Sequence, residues 1–171
     1  MELIKQPFRW SCVATSFAMV LRVPVSTIFE LTGHDGSEVP VEWTEFEEPF
    51  RRRGHSIQEG IDVCFQLGYS VTPIIYEEEF ITQNDSKPVS FRAFQESVDR
   101  LSHYMCNYDG IITGTTPSGK KHAVAWCKDT EMIYDPIGIK SHIIHPHIYI
   151  ETFWVIQKSN QKLGPWRKIK A

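Results

Sequence analysis

Cys12 opens a run, Ser11 to Ala18, with the spacing of an amphipathic helix, and Gln6 stands six positions before it. A thiol is a poor nucleophile until it is held as thiolate. The unpaired N–H groups of a helix's first turn do this, since they carry about half a positive charge. A glutamine one short loop upstream can aim its amide at the oxyanion formed when a thiolate attacks a carbonyl. Two partners follow downstream. His122 begins the strand-like run His122–Cys127, and Asp135 comes thirteen residues later in Tyr134-Asp135-Pro136. If the hairpin pairs Cys127 with Met132, His122 and Asp135 are diagonal neighbours on one face, about 7–8 Å apart between backbones. The aspartate then orients the imidazole and decides which nitrogen meets the thiol. A slip of one residue would put the two on opposite faces.

Taken singly, each residue has an ordinary explanation. Free cysteine is commonly a small buried hydrophobe. A glutamine near a terminus is usually solvated, a lone histidine at a strand start is often structural, and Asp-Pro is a common turn. Order and spacing together favour a thiol hydrolase with Cys12, His122, Asp135 and Gln6 as its site, and the chemistry calls for no cofactor.

The elements that must position these residues are helical first and stranded afterwards. Val13, Phe17, Val20 and Leu21 form one apolar stripe on a helix from Ser11 to Leu21 or Arg22, which Pro24 ends. A second helix fits Val25 to Thr32, with Thr27 and Glu30 at capping-box spacing and Gly33 just past its end. Thr44 with Glu47, and Ser56 with Glu59, repeat the capping-box spacing; Gly68 closes the helix that the second box starts. Tyr69 to Tyr76 reads as a strand whose Pro73 suits an edge. A further helix fits Ser90 to Tyr104. Gly110–Gly114, His122–Cys127, Glu131–Tyr134 and His147–Gln157 read as strands. The fold class is therefore α+β: an N-terminal helical half, nucleophile on a helix start, packed on a C-terminal antiparallel β-sheet.

The 171 residues suit one domain, expected over 1–157, with a basic, partly mobile tail over 158–171. With 42% apolar residues a sizeable core is available, and the net charge of −3 argues against a dedicated nucleic-acid binder. No apolar run approaches the ~18 residues of a membrane span. A nucleophile at position 12 leaves no room for a signal peptide or an inhibitory pro-segment, and Cys12, Cys64, Cys106 and Cys127 lack C-x-x-C spacing. The expectation is reduced thiols and a cytoplasmic location.

Gln6-x5-Cys12, within Trp10-Ser11-Cys12-Val13-Ala14-Thr15-Ser16, resembles the active-site stretch of papain-like cysteine peptidases. His122-Ala123-Val124 with Tyr134-Asp135-Pro136-Ile137-Gly138 is similar to the second half of that site. The Asp-Pro-x-Gly ending, the loop Leu31–Gly36 and the Gly68-Tyr69 helix exit are similar to the bacteriocin-processing (double-glycine leader) branch in its stand-alone form. The resemblance implies a papain-like fold and a peptide or protein substrate. It also implies Cys12 as nucleophile, His122 as base, Asp135 as orienting residue, and Gln6 with the Cys12 N–H as oxyanion donors. Val13 departs from the glycine that many members carry after the cysteine, and Ser11 from the aspartate common in that branch.

Within that mechanism a peptidase, deamidase, isopeptidase or acyltransferase would use the same residues. A non-enzymatic papain-like module that binds and inhibits a partner protein is the alternative of a different class. His142, His145 and His147, with Asp135 or Cys127, allow a metal site, although exposed histidines are commoner. The acidic stretch Glu42–Glu48 around Trp43 reads as a solvated face, and Arg51-Arg52-Arg53 as an ordinary helix end. Loops Gly33–Pro40, Gln83–Pro88 and Thr115–Lys121 are expected to rim the cleft.

Overall fold

Prolines, glycines and capping residues set where the helical half turns. A computed structural model describes residues 1–38, 53–76, 91–142 and 148–159, with 91–98 described through their backbone alone. In chain order the elements are α1 (Cys12–Leu21), α2 (Val25–Thr32), α3 (Ile57–Gln66), β1 (Tyr69–Ile75), α4 (Phe91–Asn107), β2 (Gly110–Thr115), β3 (Lys121–Cys127), β4 (Met132–Asp135), β5 (Ile139–Ser141) and β6 (Tyr149–Lys158).

After α1, Arg22 adopts the left-handed conformation (φ 59°) and the Val23 N–H donates to Ala18 O at 3.0 Å, closing the helix. Pro24 cannot continue α1 and takes the N-cap position of α2 instead. The capping box expected of Thr27 and Glu30 does not form: α2 starts at Val25, so Thr27 already lies within its first turn. Gly33 ends α2 as its position suggests, with φ 80° and its N–H donating to Phe29 O at 2.9 Å. At α3 the box closes in both directions. The Glu59 N–H donates to Ser56 Oγ (3.2 Å), and the Ser56 N–H donates to Glu59 Oε2 (2.7 Å).

Burial of α1 is wider than one stripe, since every residue from Ala14 to Leu21 is buried. The helix lies between α2 and α3 on one side and the sheet on the other, so no face of its last two turns reaches water. Gly60 permits the approach of α3, because a Cβ there would stand 2.1 Å from the Phe17 ring.

The strands form one sheet of order β1-β6-β2-β3-β4-β5 with antiparallel neighbours. Alternation sends Ala123, Ala125 and Cys127 toward α1, and Val124 and Trp126 toward the opposite face, where Leu101 and Met105 of α4 cover them. Both faces are therefore buried, and the Trp126 indole donates to Met105 O at 2.7 Å. Pro73 lies on β1, the edge strand, where a missing N–H costs no internal ladder bond. β6 continues through Lys158, opposite Tyr69, and the Ser159 N–H donates to Gly68 O at 2.7 Å.

Trp43 with the Glu42–Glu48 stretch, the Thr44–Glu47 box, Arg51, Arg52, the Gln83–Pro88 loop, His145, His147 and the tail beyond Ser159 lie outside the described residues. Among the described residues no single helix is long and apolar enough to cross a membrane.

Candidate active site

The β3–β4 hairpin pairs Cys127 with Met132, Trp126 with Ile133 and Ala125 with Tyr134, the register that brings His122 and Asp135 to one face. His122 Nε2 lies 2.9 Å from Asp135 Oδ1, and the Cys12 thiol is near enough to the same imidazole to raise its pKa. With Nε2 engaged by the carboxylate, Nδ1 is the nitrogen left for the thiol. Burial works against the charged ring, but hydrogen bonds to Asp135 and Cys12, with their negative charge, outweigh it and push the His122 pKa up to about 9. The ring is thus an imidazolium at neutral pH. Asp135 is itself only 2% exposed. Its Oδ1 also accepts the Ile137 N–H (3.0 Å), and its carbonyl accepts the Gly138 N–H (2.9 Å), which locks the turn that carries it.

Gln6 is tied to that same turn, its N–H donating to Pro136 O at 2.7 Å. Its side-chain Oε1 is buried and has no hydrogen-bond partner among the described residues. Between Gln6 and Cys12 the chain makes a turn closed by Ser11. The Ser11 hydroxyl donates to Phe8 O (2.9 Å) and accepts the Phe8 N–H (3.2 Å), instead of capping α1. Cys12 is half-buried at the first helical position, where its N–H has no intrahelical acceptor.

A cleft of about 460 Å³ opens over Cys12 and His122. Arg9 and Trp10 form one wall, Arg53 and His55 another, and Lys121 and Glu151 a third. The turn expected at Thr115–Lys121 contributes Lys121 to this lining. The described part of the Gly33–Pro40 loop does not line it, and packs on Gly54, whose N–H donates to Gly36 O at 3.0 Å. Glu151 was not legible as a cleft residue. The β2–β6 register shifts between Thr113 and Gly114, so Glu151 is an extra bulge residue; its carboxylate accepts the Thr115 hydroxyl and pairs with Lys121. Gly114 is part of this device, because a Cβ there would lie 1.8 Å from Tyr149 O.

His55 was also missed. It belongs to a column of stacked rings running Trp10, Phe8, Phe29, His55, His34, with centroids 5.1, 6.2, 5.4 and 4.4 Å apart in that order. Burial, with His34 beside it, lowers the His55 pKa, so this ring is neutral where His122 is charged. At the end of the column His34 Nδ1 accepts the Gly36 N–H (3.0 Å), leaving Nε2 to donate to Glu59 (2.9 Å). Of the proposed metal ligands, His142 lies near Glu131 O (Nδ1 at 3.2 Å) and does not line the Cys12 cleft, and among the described residues no three potential ligands are grouped.

No protein-family model matches the chain, and no curated protein matches it in sequence. Among solved structures it is similar to the peptidase domain of Streptococcus ComA, a bi-functional ABC transporter involved in a quorum-sensing pathway. That likeness has a TM-score of 0.51 at 12% identity and covers 94% of this chain and 98% of that one. At this identity the likeness is one of fold, N-terminal helices packed on an antiparallel sheet. The chain has the papain-like peptidase fold.

Proposed function

We propose that the protein is a cysteine peptidase that cleaves an amide bond through an S-acyl intermediate. The observation that carries this reading is the His122 imidazole, hydrogen-bonded to Asp135 and lining one cleft with the Cys12 thiol. The reacting pair is the Cys12 thiolate and the His122 imidazolium, whose pKa of about 9 keeps its proton in place until the leaving group takes it. The Cys12 thiolate adds to the substrate carbonyl carbon, and the carbonyl electrons move to oxygen. The Cys12 N–H and the Gln6 side-chain amide donate to that oxyanion. His122 gives its proton to the leaving nitrogen as the C–N bond breaks, which leaves a thioester and a neutral ring. The neutral ring then takes a proton from the attacking water, and the thiolate leaves with the imidazolium restored. A deamidase, isopeptidase or acyltransferase would use the same steps with another leaving group or acceptor. Peptide cleavage is preferred because a peptidase domain shares the fold.

Alkylation separates Cys12 from the other thiols. All four cysteines are free; Cys64 and Cys127 are buried, and burial pushes the Cys64 pKa up to about 12, but Cys106 is exposed. In a Cys106→Ser background, iodoacetamide near pH 7 should label one site fast. Cys12→Ala should abolish that labelling and Cys64→Ala should leave it. Equal labelling in both variants sinks the assignment. Peptides retained on Cys12→Ala, then cleaved by the wild-type protein, would identify the substrate.

A further inference from the structure

Outside the triad, one polar link joins the helix of the nucleophile to the strand of the base. Ser16 lies four residues after Cys12 on α1, so the two side chains occupy one face, a single turn apart. Ser16 is 0% exposed, and its hydroxyl donates to Ala123 O at 3.0 Å across 107 residues of chain. Ala123 immediately follows His122. It lies beyond the β3–β4 ladder, which pairs only Ala125 to Cys127 with β4. Among the described residues this is the hydrogen bond that fixes α1 against β3, apart from the thiol–imidazole contact itself. The other contacts between these elements are apolar, from residues such as Phe17, Ala18, Ala123 and Ala125. Apolar packing resists separation of the two elements but is non-directional, so it tolerates sliding far better than a hydrogen bond does.

We propose that Ser16 is a positioning residue for the Cys12–His122 pair, setting the height of the nucleophile's helix against the base's strand. The inference rests on the thiol-hydrolase reading above. Ser16 touches no substrate; it acts through the Ala123 carbonyl on the adjacent His122. A shift of a fraction of an ångström between thiol and imidazole weakens the assistance that His122 gives the nucleophile, and catalytic geometry is steep in such displacements.

The test is the pH dependence of Cys12 alkylation by iodoacetamide in the full chain with Cys106→Ser. Below pH 7 wild-type Cys12 should react about tenfold or more faster than in a His122→Ala variant, an excess that fades as pH rises. Ser16→Ala should lose most of that excess, about a tenfold loss of rate at pH 6. Thr15→Val is the control, because Thr15 is equally buried on α1 but its hydroxyl has no partner among the described residues. It should leave the profile in place. Ser16→Thr keeps the hydroxyl while crowding the site, so it should lose stability yet retain the wild-type profile. A Ser16→Ala variant that keeps the wild-type rate at pH 6 overturns the proposal, as does a Ser16→Thr variant that loses it, which also decides the matter should the alanine variant not fold. A wild type no faster than His122→Ala would instead overturn the hydrolase reading beneath it.

Discussion

His122 Nε2 and Asp135 Oδ1 stand 2.9 Å apart, thirteen residues from each other around a single hairpin. Both groups are nearly dry, with side-chain exposures of 12% and 3%, so the carboxylate acts on the ring with little screening. Because the same Oδ1 also takes the Ile137 N–H, the carboxylate is held from two sides and cannot follow the ring if it turns.

Asp135→Asn tests what that carboxylate does. The amide oxygen can still accept the Nε2 proton, so ring orientation survives while the charge is lost. The His122 pKa should fall from about 9 toward its ordinary value of 6.5, and Cys12 alkylation at pH 7 should slow about tenfold or more. Histidine ring resonances followed by NMR through the titration give the value directly. A ring still titrating near 9 in the variant would assign the shift to Cys12 alone.

The same shift makes a stability prediction with a definite sign. The folded-state pKa of His122 is raised, so its contribution is fully present below pH 6.5 and is lost as pH climbs through about 9. The rise corresponds to at most about 3 kcal/mol at 1.36 kcal/mol per unit. Urea unfolding of wild type and His122→Gln should therefore differ most near pH 6, with the gap narrowing steadily toward pH 9.5. A gap independent of pH would contradict the charged ring.

Residues whose role is set locally were legible in the sequence, and residues placed by long-range register were not. The start of α3, the Gly33 helix end and the edge position of β1 all follow from cap, proline or glycine chemistry within a few residues. His122 and Asp135 could be paired because a short turn leaves the hairpin few registers. Glu151 and His55 could not. One reaches the cleft through a bulge between β2 and β6, strands whose paired residues lie about forty positions apart, and the other through stacking between Phe29 and His34, more than twenty residues away in the chain. The Thr27–Glu30 spacing shows the opposite failure: the helix spans Val25–Thr32 as expected, but Pro24, three residues before Thr27, holds its N-cap and the box goes unused.

Glu59 joins the capping box to the ring column, and its removal should be felt at both. Oε1 accepts His34 Nε2 (2.9 Å) and Arg53 Nη2 (2.5 Å), while Oε2 accepts the Ser56 N–H (2.7 Å) and hydroxyl (3.0 Å). Burial opposes its charge, yet these donors lower its pKa; the stabilisation is present above 4.5 and is lost as pH falls below it. Glu59→Ala should cost about 2 kcal/mol at pH 7, the loss of a cap and of charged hydrogen bonds together. Urea unfolding at pH 7 and pH 4 checks this: the difference from wild type should shrink at the lower pH. A loss unchanged by acid would mean that packing, not charge, carries the effect.

The charge lining the cleft predicts how Cys12 distinguishes small reagents. Arg53 is paired with Glu38 and Glu59, and Lys121 with Glu151, so each of these cations is offset by a carboxylate. Arg9 borders the same cleft three residues before the nucleophile, and no carboxylate offsets it among the described residues. Its field should favour anions approaching Cys12, although the chain as a whole carries −3. Iodoacetate and iodoacetamide have nearly the same reactive carbon and differ by one charge, so their rate ratio reads the local potential. Arg9→Glu should lower the iodoacetate-to-iodoacetamide ratio about two- to fivefold, as expected for a partly screened charge at this range. The difference should fade when salt shortens the Debye length from about 10 Å at 0.1 M to about 3 Å at 1 M. Reduced rates for both reagents, with the ratio unchanged, would show that Arg9 shapes the Gln6–Cys12 turn and does not set the field.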